Sequence, residues 1–442
     1  MATQHSKSMH GAAVEMPALN VPAPPRTLAS RLKAMGPGMV LAVTSVGAGD
    51  MVTTLNSSSE YGMALVWTIV LGIIIKFALT EAVGRLQLSS PRTMLSQMAD
   101  ISGPVLPLVF LLFMVVIGLF YGAGLSSVAA IAVVELVPAA PMVPVTIAIA
   151  VAAGAMVAFG RYSIFERIMV GLGVAMFVTV IASAAMVATD TQSPSITFDK
   201  LIPQLPSGSI LAVLALIGGV GGAAGILAYG YWVREKKWQG RVWLTHLRSD
   251  TAASYIGILV FAVAMSILGT ALIYGTGESI AGNAGLATIA APVAAAAGEI
   301  GRIVFLLCLF AVVFSSILGG FSAMGYLIAD AVRVLRRIPD EQADAHMASS
   351  TPVFRLVILY CVLAAIIFQF AGRPVGMVVI YATLSAFILP VLSGALLILL
   401  NRRSLPREFR NRTASNCAIG IGLALFSALC VAQVIETISG LS

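Results

Sequence analysis

The chain has 442 residues, of which 59% are hydrophobic and only 10% charged, with a formal net charge of +7 and a mean hydropathy of +0.98. That composition excludes an ordinary soluble domain and marks a polytopic membrane protein. The basic excess sits in short clusters between apolar stretches, with no polar domain to present a binding face, which argues against a nucleic-acid partner.

Residues 1–36 are polar, contain a Pro22–Pro25 PAPP stretch and lack the apolar core and cleavage site of a signal peptide. They read as a disordered cytoplasmic tail. Apolar runs long enough to cross about 30 Å of hydrocarbon follow at 37–57, 62–84, 105–136, 142–159, 165–188, 208–232, 252–275, 290–330, 353–371, 375–400 and 415–438. With the N-terminus inside, most Lys and Arg fall on the cytoplasmic side, among them Arg234, Lys236, Lys237, Arg241, Arg333, Arg336, Arg337, Arg402 and Arg403. Ser442 then lies outside, and the charge pattern fits a bacterial inner membrane.

The first span is interrupted by SVGAGD (Ser45 to Asp50) and the sixth by IGGVGGAAGI (Ile217 to Ile226). A helix in hydrocarbon gives up backbone hydrogen bonds only where protein or a water-filled cavity satisfies them, so matched breaks mark a solute site near the bilayer midplane. The matching also divides the chain into a first repeat at 37–188 and a second, oppositely inserted repeat at 208–400, with 415–438 as an added helix. The expected fold class is all-α: an inverted repeat of five plus five helices, an eleventh helix, and broken helices 1 and 6.

Asp50 is the foremost candidate, because an ionisable group at membrane depth is costly and faces a cavity or a partner. Its alternative role is an N-cap of the second half-helix. Gly47, Gly49, Ala223 and Ile226 at the breaks are further substrate-site candidates, with Tyr381 and Thr383 from the tenth span. Lys76 and Glu81 lie in the second span; Glu81 has Arg85 four residues on as an ion-pair partner, and Lys76 stands as a residue for solute charge or coupling. Tyr229, Tyr231 and Trp232 read as an aromatic belt at the inner face. Cys308, Cys361, Cys417 and Cys430 show no metal-ligand spacing and read as small buried hydrophobes, while His5, His10, His246 and His346 all fall in the tail or loops. No span carries a nucleophile set or a phosphate loop, so an enzyme is not expected, nor a cofactor or obligate protein partner.

GPGMVLAVTSVGAGDMVTTLNSSSEYGMALVW (Gly36 to Trp67) resembles the first span of the Nramp (natural-resistance-associated macrophage protein) family of proton-coupled divalent-metal transporters. FSSILGGFSAMG (Phe314 to Gly325) is similar to that family's eighth span, and PVGMVVIYATLSAFILPVLSGALLILLNRR (Pro374 to Arg403) to its tenth. The resemblance implies the leucine-transporter-type fold. In the family, the first break reads Asp-Pro-Gly-Asn and the sixth carries Met-Pro-His. Here Gly47 stands at the Asp position, Gly49 keeps the Gly, Asp50 stands at the Asn position, and Ile226, Leu227 and Ala228 replace the sixth-span triplet. Ala382 matches the family's metal-facing Gln.

With the thioether and imidazole gone, a bound metal is expected to be a hard, partly hydrated ion such as Mg2+, with Asp50 its carboxylate ligand. Val109 to Ala130 in the third span holds no acidic residue, unlike the family's proton path. Ser315 and Ser316 match the hydroxyl pair that, in this fold, can form a sodium site with first-break carbonyls. The expected function is therefore secondary transport of a small cation, most of all a divalent metal, with possible proton or sodium coupling. The alternatives are a small anion or polar organic solute held by glycine N–H groups, and a non-transporting sensor.

Overall fold

The structure is a computed structural model describing residues 22–25, 36–160, 162–188, 202–219, 222–275, 290–371 and 374–439. Most of the expected tail, positions 220 and 221 of the sixth-span break, and Ser442 lie outside the described residues. Among the described residues all regular structure is helical.

The first span is two helices, α1 (Pro37–Ser45) and α2 (Ala48–Tyr61), separated at Val46 and Gly47. A 3-10 turn at Gly62–Leu65, entered through Gly62 at φ 58, leads to α3 (Val66–Ser89). Then come the short α4 (Met94–Ser102) and the long α5 (Val105–Leu136), α6 (Met142–Phe159) and α7 (Tyr162–Ala188). The sixth span is again split, into α8 (Ile210–Gly219) and α9 (Ala223–Glu235). α10 (Leu244–Leu272), α11 (Ala290–Leu335), α12 (Ala343–Met347), α13 (Pro352–Phe368), α14 (Pro374–Leu400) and α15 (Thr413–Ser439) complete the chain.

Local chemistry fixes several helix starts. Thr93 caps α4 by accepting from the Ser96 amide at 3.2 Å, and Thr351 caps α13 by accepting from Phe354 at 3.3 Å, with Pro352 in the first helical position. α5 and α6 fall where the hydropathy reading put them. α10 begins at Leu244 rather than near 252, because its first turns carry His246 and Asp250, which are buried in the bundle rather than left in a loop.

Seven helices among the described residues are each long and apolar enough to cross a membrane; Pro352–Phe368 passes the same test only when taken together with Asp340–Met347, from which it is bent by 47°. The halves of the broken spans fail that test alone: α1 has 9 residues, α8 has 10 and α9 has 13, so none reaches about 30 Å at roughly 1.5 Å per residue. Outward-facing Ile74, Leu112, Val178, Ile256, Leu356 and Ile367 clothe the bundle in apolar surface suited to lipid.

α11 forms the spine, packed against α5, α7, α9 and both halves of the first span. Its approach depends on two glycines. A Cβ on Gly319 would collide with Thr44 of α1, and one on Gly320 with the Tyr121 ring of α5. Small residues let helices meet this closely where lipid offers no hydrophobic drive for association.

Candidate functional site

The two breaks meet at a cavity of about 60 Å³. At roughly 15 Å³ per water-sized position, it has room for a few waters or one small hydrated solute. Thr44, Ser45, Gly47 and Asp50 line it from the first span, Gly222 to Gly225 from the sixth, Tyr121 and Ser316 from α5 and α11, and Tyr381 and Ser385 from α14.

Its backbone geometry follows from the glycines. Gly47 is the N-cap of α2 and Gly222 the N-cap of α9, and neither helix start receives a side-chain cap. Two helix N-termini, each a locus of partial positive charge, therefore begin at this cavity. Asp50 is not the N-cap considered from sequence: it lies inside the first turn of α2, where a carboxylate complements the helix dipole. It is 4% exposed.

On the other side of the first break, carbonyls are held by α11. The Ser316 hydroxyl is positioned to donate to the carbonyls of Val46 at 3.0 Å and Thr44 at 3.2 Å. Ser315 reaches Val43 at 3.4 Å and its own helix at Val312 at 2.8 Å. Tyr121 Oη donates to the Ser316 carbonyl at 2.6 Å, and its ring meets that of Tyr381 edge-on with centroids 4.9 Å apart. A Cβ on Gly47 would stand 2.8 Å from Ser316 Oγ, so the break and the serine pair are one packed unit.

The hydroxyls of Thr44 and Ser45 are buried at the cavity and have no hydrogen-bond partner among the described residues. Buried polar atoms are ordinarily satisfied, so these two are groups a solute or its waters would engage. Sequence reading passed over them, along with Thr53, Tyr121 and Ser385. Adjacency to the break was the available signal for Thr44 and Ser45.

Lys76 of α3 is completely buried and is not among the residues that line the cavity. Tyr255 of α10 shares a 2.7 Å hydrogen bond with Thr80, one turn beyond Lys76.

Other expectations fare differently. Gly47, Asp50, Ala223, Tyr381 and Ser316 do gather at the cavity. Ile226 does not line it and is fully buried in the core. The surroundings of Gly49 and the side chain of Thr383 lie outside the described residues. Glu81 is held between two arginines, Arg85 at 3.0 Å and Arg248 at 2.9 Å.

The expected aromatic belt is corrected by burial. Tyr229, Tyr231 and Trp232 are at most 2% exposed, because the second half of the sixth span runs inside the bundle. Tyr229 donates to Asp250 at 2.9 Å, Tyr231 to Asp330 at 2.7 Å, and Trp232 approaches Ser322 at 3.4 Å. The expectation that all histidines lie in loops or the tail is likewise corrected: His246 is in the first turn of α10, buried between Trp238 and Trp243 with ring centroids at 4.7 and 5.4 Å.

Two broken helices meeting at a buried, polar cavity inside an apolar bundle define the architecture of a secondary transporter. The family model for natural resistance-associated macrophage protein-like proteins matches residues 38–436, and the chain belongs to the Nramp family. A search of the curated proteins finds no match. Among solved structures, a variant of the Eremococcus coleocola manganese transporter matches with a TM-score of 0.75 at 15% identity, covering 96% of this chain and 90% of that one. The fold also matches MHP1, a nucleobase-cation-symport-1 family transporter, with a TM-score of 0.56 at 12% identity, covering 92% of each chain. MhsT in complex with L-phenylalanine matches with a TM-score of 0.50 at 14% identity, covering 88% of this chain and 98% of that one. At these identities the likeness establishes the leucine-transporter-type fold.

Proposed function

We propose that the protein is a secondary transporter that carries a small cation, most of all a divalent metal ion, by alternating access through the cavity at Asp50. The supporting observation is the placement of that carboxylate at the junction of two broken spans, beside fixed backbone carbonyls and unpaired hydroxyls. Family membership and the manganese transporter among the fold's relatives point to the same substrate class.

The donor set favours a hard ion such as Mg2+. Oxygen groups line the cavity, no sulfur or imidazole does, and among the described residues no three His, Cys, Asp or Glu side chains are grouped to hold a metal. Mg2+ keeps several waters and accepts one or two carboxylates, which suits a roomy oxygen site. Alternating access would follow from movement of the helices that carry the breaks, spanning repeats 37–188 and 208–400. Ser315 and Ser316 are the candidates for a coupling sodium ion, since their hydroxyls already sit among first-break carbonyls. The end rich in Arg and Lys is assigned to the cytoplasm by the positive-inside rule, in a bacterial inner membrane.

A second reading, a small anion or an organic solute bearing a carboxylate, draws on one specific observation: the N-termini of α2 and α9, whose glycine N-caps bring no side chain, begin at the cavity. Uptake in proteoliposomes decides between them. Saturable Mg2+ or Mn2+ uptake by the wild type, falling to background in Asp50→Asn, is the expected result. Sodium-driven uptake of a small organic acid without cation flux would establish the second reading.

A further inference from the structure

We infer that the loop joining α14 to α15, together with the outward face of α15, is a binding site for an anionic phospholipid of the leaflet at the basic end of the bundle. The headgroup phosphate meets arginines of the loop, and an acyl chain lies along α15. The site is separate from the cavity and does not depend on the cargo.

Residues 401–412 carry five arginines, Arg402, Arg403, Arg407, Arg410 and Arg412, against one acid, Glu408. The loop is fixed to the bundle. Its neck is closed by the Asn411 amide donating to the Leu400 carbonyl at 3.0 Å, and by the side chains of Asn401 and Asn416, which exchange hydrogen bonds at 2.8 and 3.1 Å. Arg85 of α3, 2% exposed, donates to the carbonyls of Phe409 at 3.0 Å and Arg410 at 2.7 Å and to Asn411 Oδ1 at 2.8 Å. Phe409 itself is buried and joins the core. Within the loop Arg410 donates to the carbonyls of Leu405 at 2.6 Å and of Arg403, and Arg402 lies 3.8 Å from Asp100. Arg403, Arg407 and Arg412 are exposed, and their side chains make no hydrogen bond or ion pair among the described residues. A guanidinium matches a phosphate through paired N–H groups, and a loop already held in shape loses little freedom when it binds one.

The surroundings of the loop identify the anion. Cys417, Ile421, Ala424, Ala428, Val431 and Ile435 are all exposed, at steps of three and four that place them on one face of α15. The opposite face is buried at Ile419, Gly422 and Phe426, and a Cβ on Gly422 would stand 2.6 Å from Ile75 of α3. The exposed face begins within two turns of Arg412 and runs about 27 Å at roughly 1.5 Å per residue, against roughly 15 Å for the hydrocarbon half of one leaflet. A water-soluble anion would use the arginines alone, whereas a phospholipid uses the basic loop and the apolar face together. A second copy of the chain would also cover that face. Both copies would hold the same orientation in the membrane, however, so a twofold contact through α15 would set two basic loops side by side and repel.

The test uses the purified full-length protein in an uncharged detergent, titrated with phosphatidylglycerol, phosphatidylcholine or glycerol 3-phosphate. Retained lipid is counted by native mass spectrometry, and thermal unfolding is recorded on the same samples. The wild type is expected to retain phosphatidylglycerol and melt higher with it, and to respond to neither of the other two. Each arginine near an anionic headgroup is worth about fivefold in affinity, so Arg403→Gln/Arg407→Gln/Arg412→Gln should bind about a hundredfold more weakly. The triple Lys variant at these positions should stay within a few-fold of wild type. Lys237→Gln/Arg241→Gln/Arg336→Gln, which removes three exposed charges from other loops, should bind as wild type. Undiminished binding by the triple Gln variant, or equal loss in that control, overturns the site. An equal response to glycerol 3-phosphate overturns the lipid assignment, and a dimer that Ile421→Arg dissociates gives the face to a second copy instead. If the triple Gln variant fails to fold, Arg403→Gln and Arg412→Gln taken singly decide in its place, each with an expected loss of about fivefold.

Discussion

The cavity and the floor of the bundle at its basic end treat buried polarity in opposite ways. At the cavity, helix starts are left uncapped and the hydroxyls of Thr44 and Ser45 have no partner among the described residues. At the floor, side chains pair into networks, although Asp250 Oδ1 has no partner among the described residues. Asp250 of α10 accepts from Tyr229 of α9 at 2.9 Å, and the backbone at Gly36 and Gly38, where α1 begins, faces the same carboxylate. Asp330 and Arg333 pair at 2.8 Å, Tyr231 joins them, and Arg333 continues to Asp340 at 3.1 Å and to Thr93. Lys236 of the turn after α9 reaches Glu166 of α7 at 2.6 Å. Unsatisfied polarity serves to bind something that comes and goes, whereas closed networks serve to hold helices still. α1 and α9 belong to both regions, with one end at the cavity and the other in the floor, so the floor restrains the helices whose breaks make the site.

The largest effect should come from breaking the floor at Asp250. Asp250→Asn keeps the volume but puts an NH2 donor where one carboxyl oxygen faces Tyr229 or the start of α1, and a buried group left unsatisfied costs about 1–3 kcal/mol. Amide exchange across Pro37–Ser45 should accelerate in this variant and stay unchanged in Asp50→Asn. Equal acceleration in both would mean that the two regions are not separate in function.

Gly47→Ala should have a smaller effect, confined to the cavity side. The new methyl group, 2.8 Å from Ser316 Oγ, forces that hydroxyl away from the Val46 and Thr44 carbonyls. Tm should fall by a few degrees, and the double variant with Ser316→Ala should regain part of the loss because the clash and the displaced hydrogen bonds vanish together. A strictly additive double variant would contradict the coupling.

The smallest effect is expected at Asp340, outside the spans. Burial opposes its ionisation, but hydrogen bonds from Ser96 and Arg92 and the charges of Arg333 and Arg92 outweigh this and hold the carboxyl below the usual carboxylate range. A group with a depressed folded-state value stabilises at neutral pH and loses that contribution as pH falls through it. Asp340→Asn should therefore lower Tm modestly at pH 7, with the gap to wild type closing as the medium is acidified below the usual carboxylate range. A gap independent of pH would assign the loss to packing.

The fold was legible because glycine-broken apolar spans and the first-span motif survive in plain letters. SVGAGD located the first break, and α5 and α6 fall where hydropathy placed them. The closed floor was not legible. His246 and Asp250 lower the hydropathy of the first turns of α10, so that stretch read as a loop although its polar atoms are buried against α1, α9 and neighbouring aromatics. Tyr229, Tyr231 and Trp232 beside a basic run read as a membrane-surface belt, because composition alone cannot tell an aromatic facing lipid headgroups from one donating to a buried acid. At the site, Asp50, Gly47 and Ser316 were recognisable as types. Thr44 and Ser45 are ordinary small residues until the cavity shows their unused hydroxyls.

The measurement that bears most directly on a cation site at Asp50 is anomalous diffraction from crystals of the wild-type protein grown with Mn2+, beside crystals of Asp50→Asn grown identically. The account predicts one Mn2+ peak within about 2.0–2.6 Å of the Asp50 carboxylate oxygens or one water removed from them, absent in the variant. No peak at the junction of the two breaks, or a peak that persists unchanged in Asp50→Asn, would contradict it.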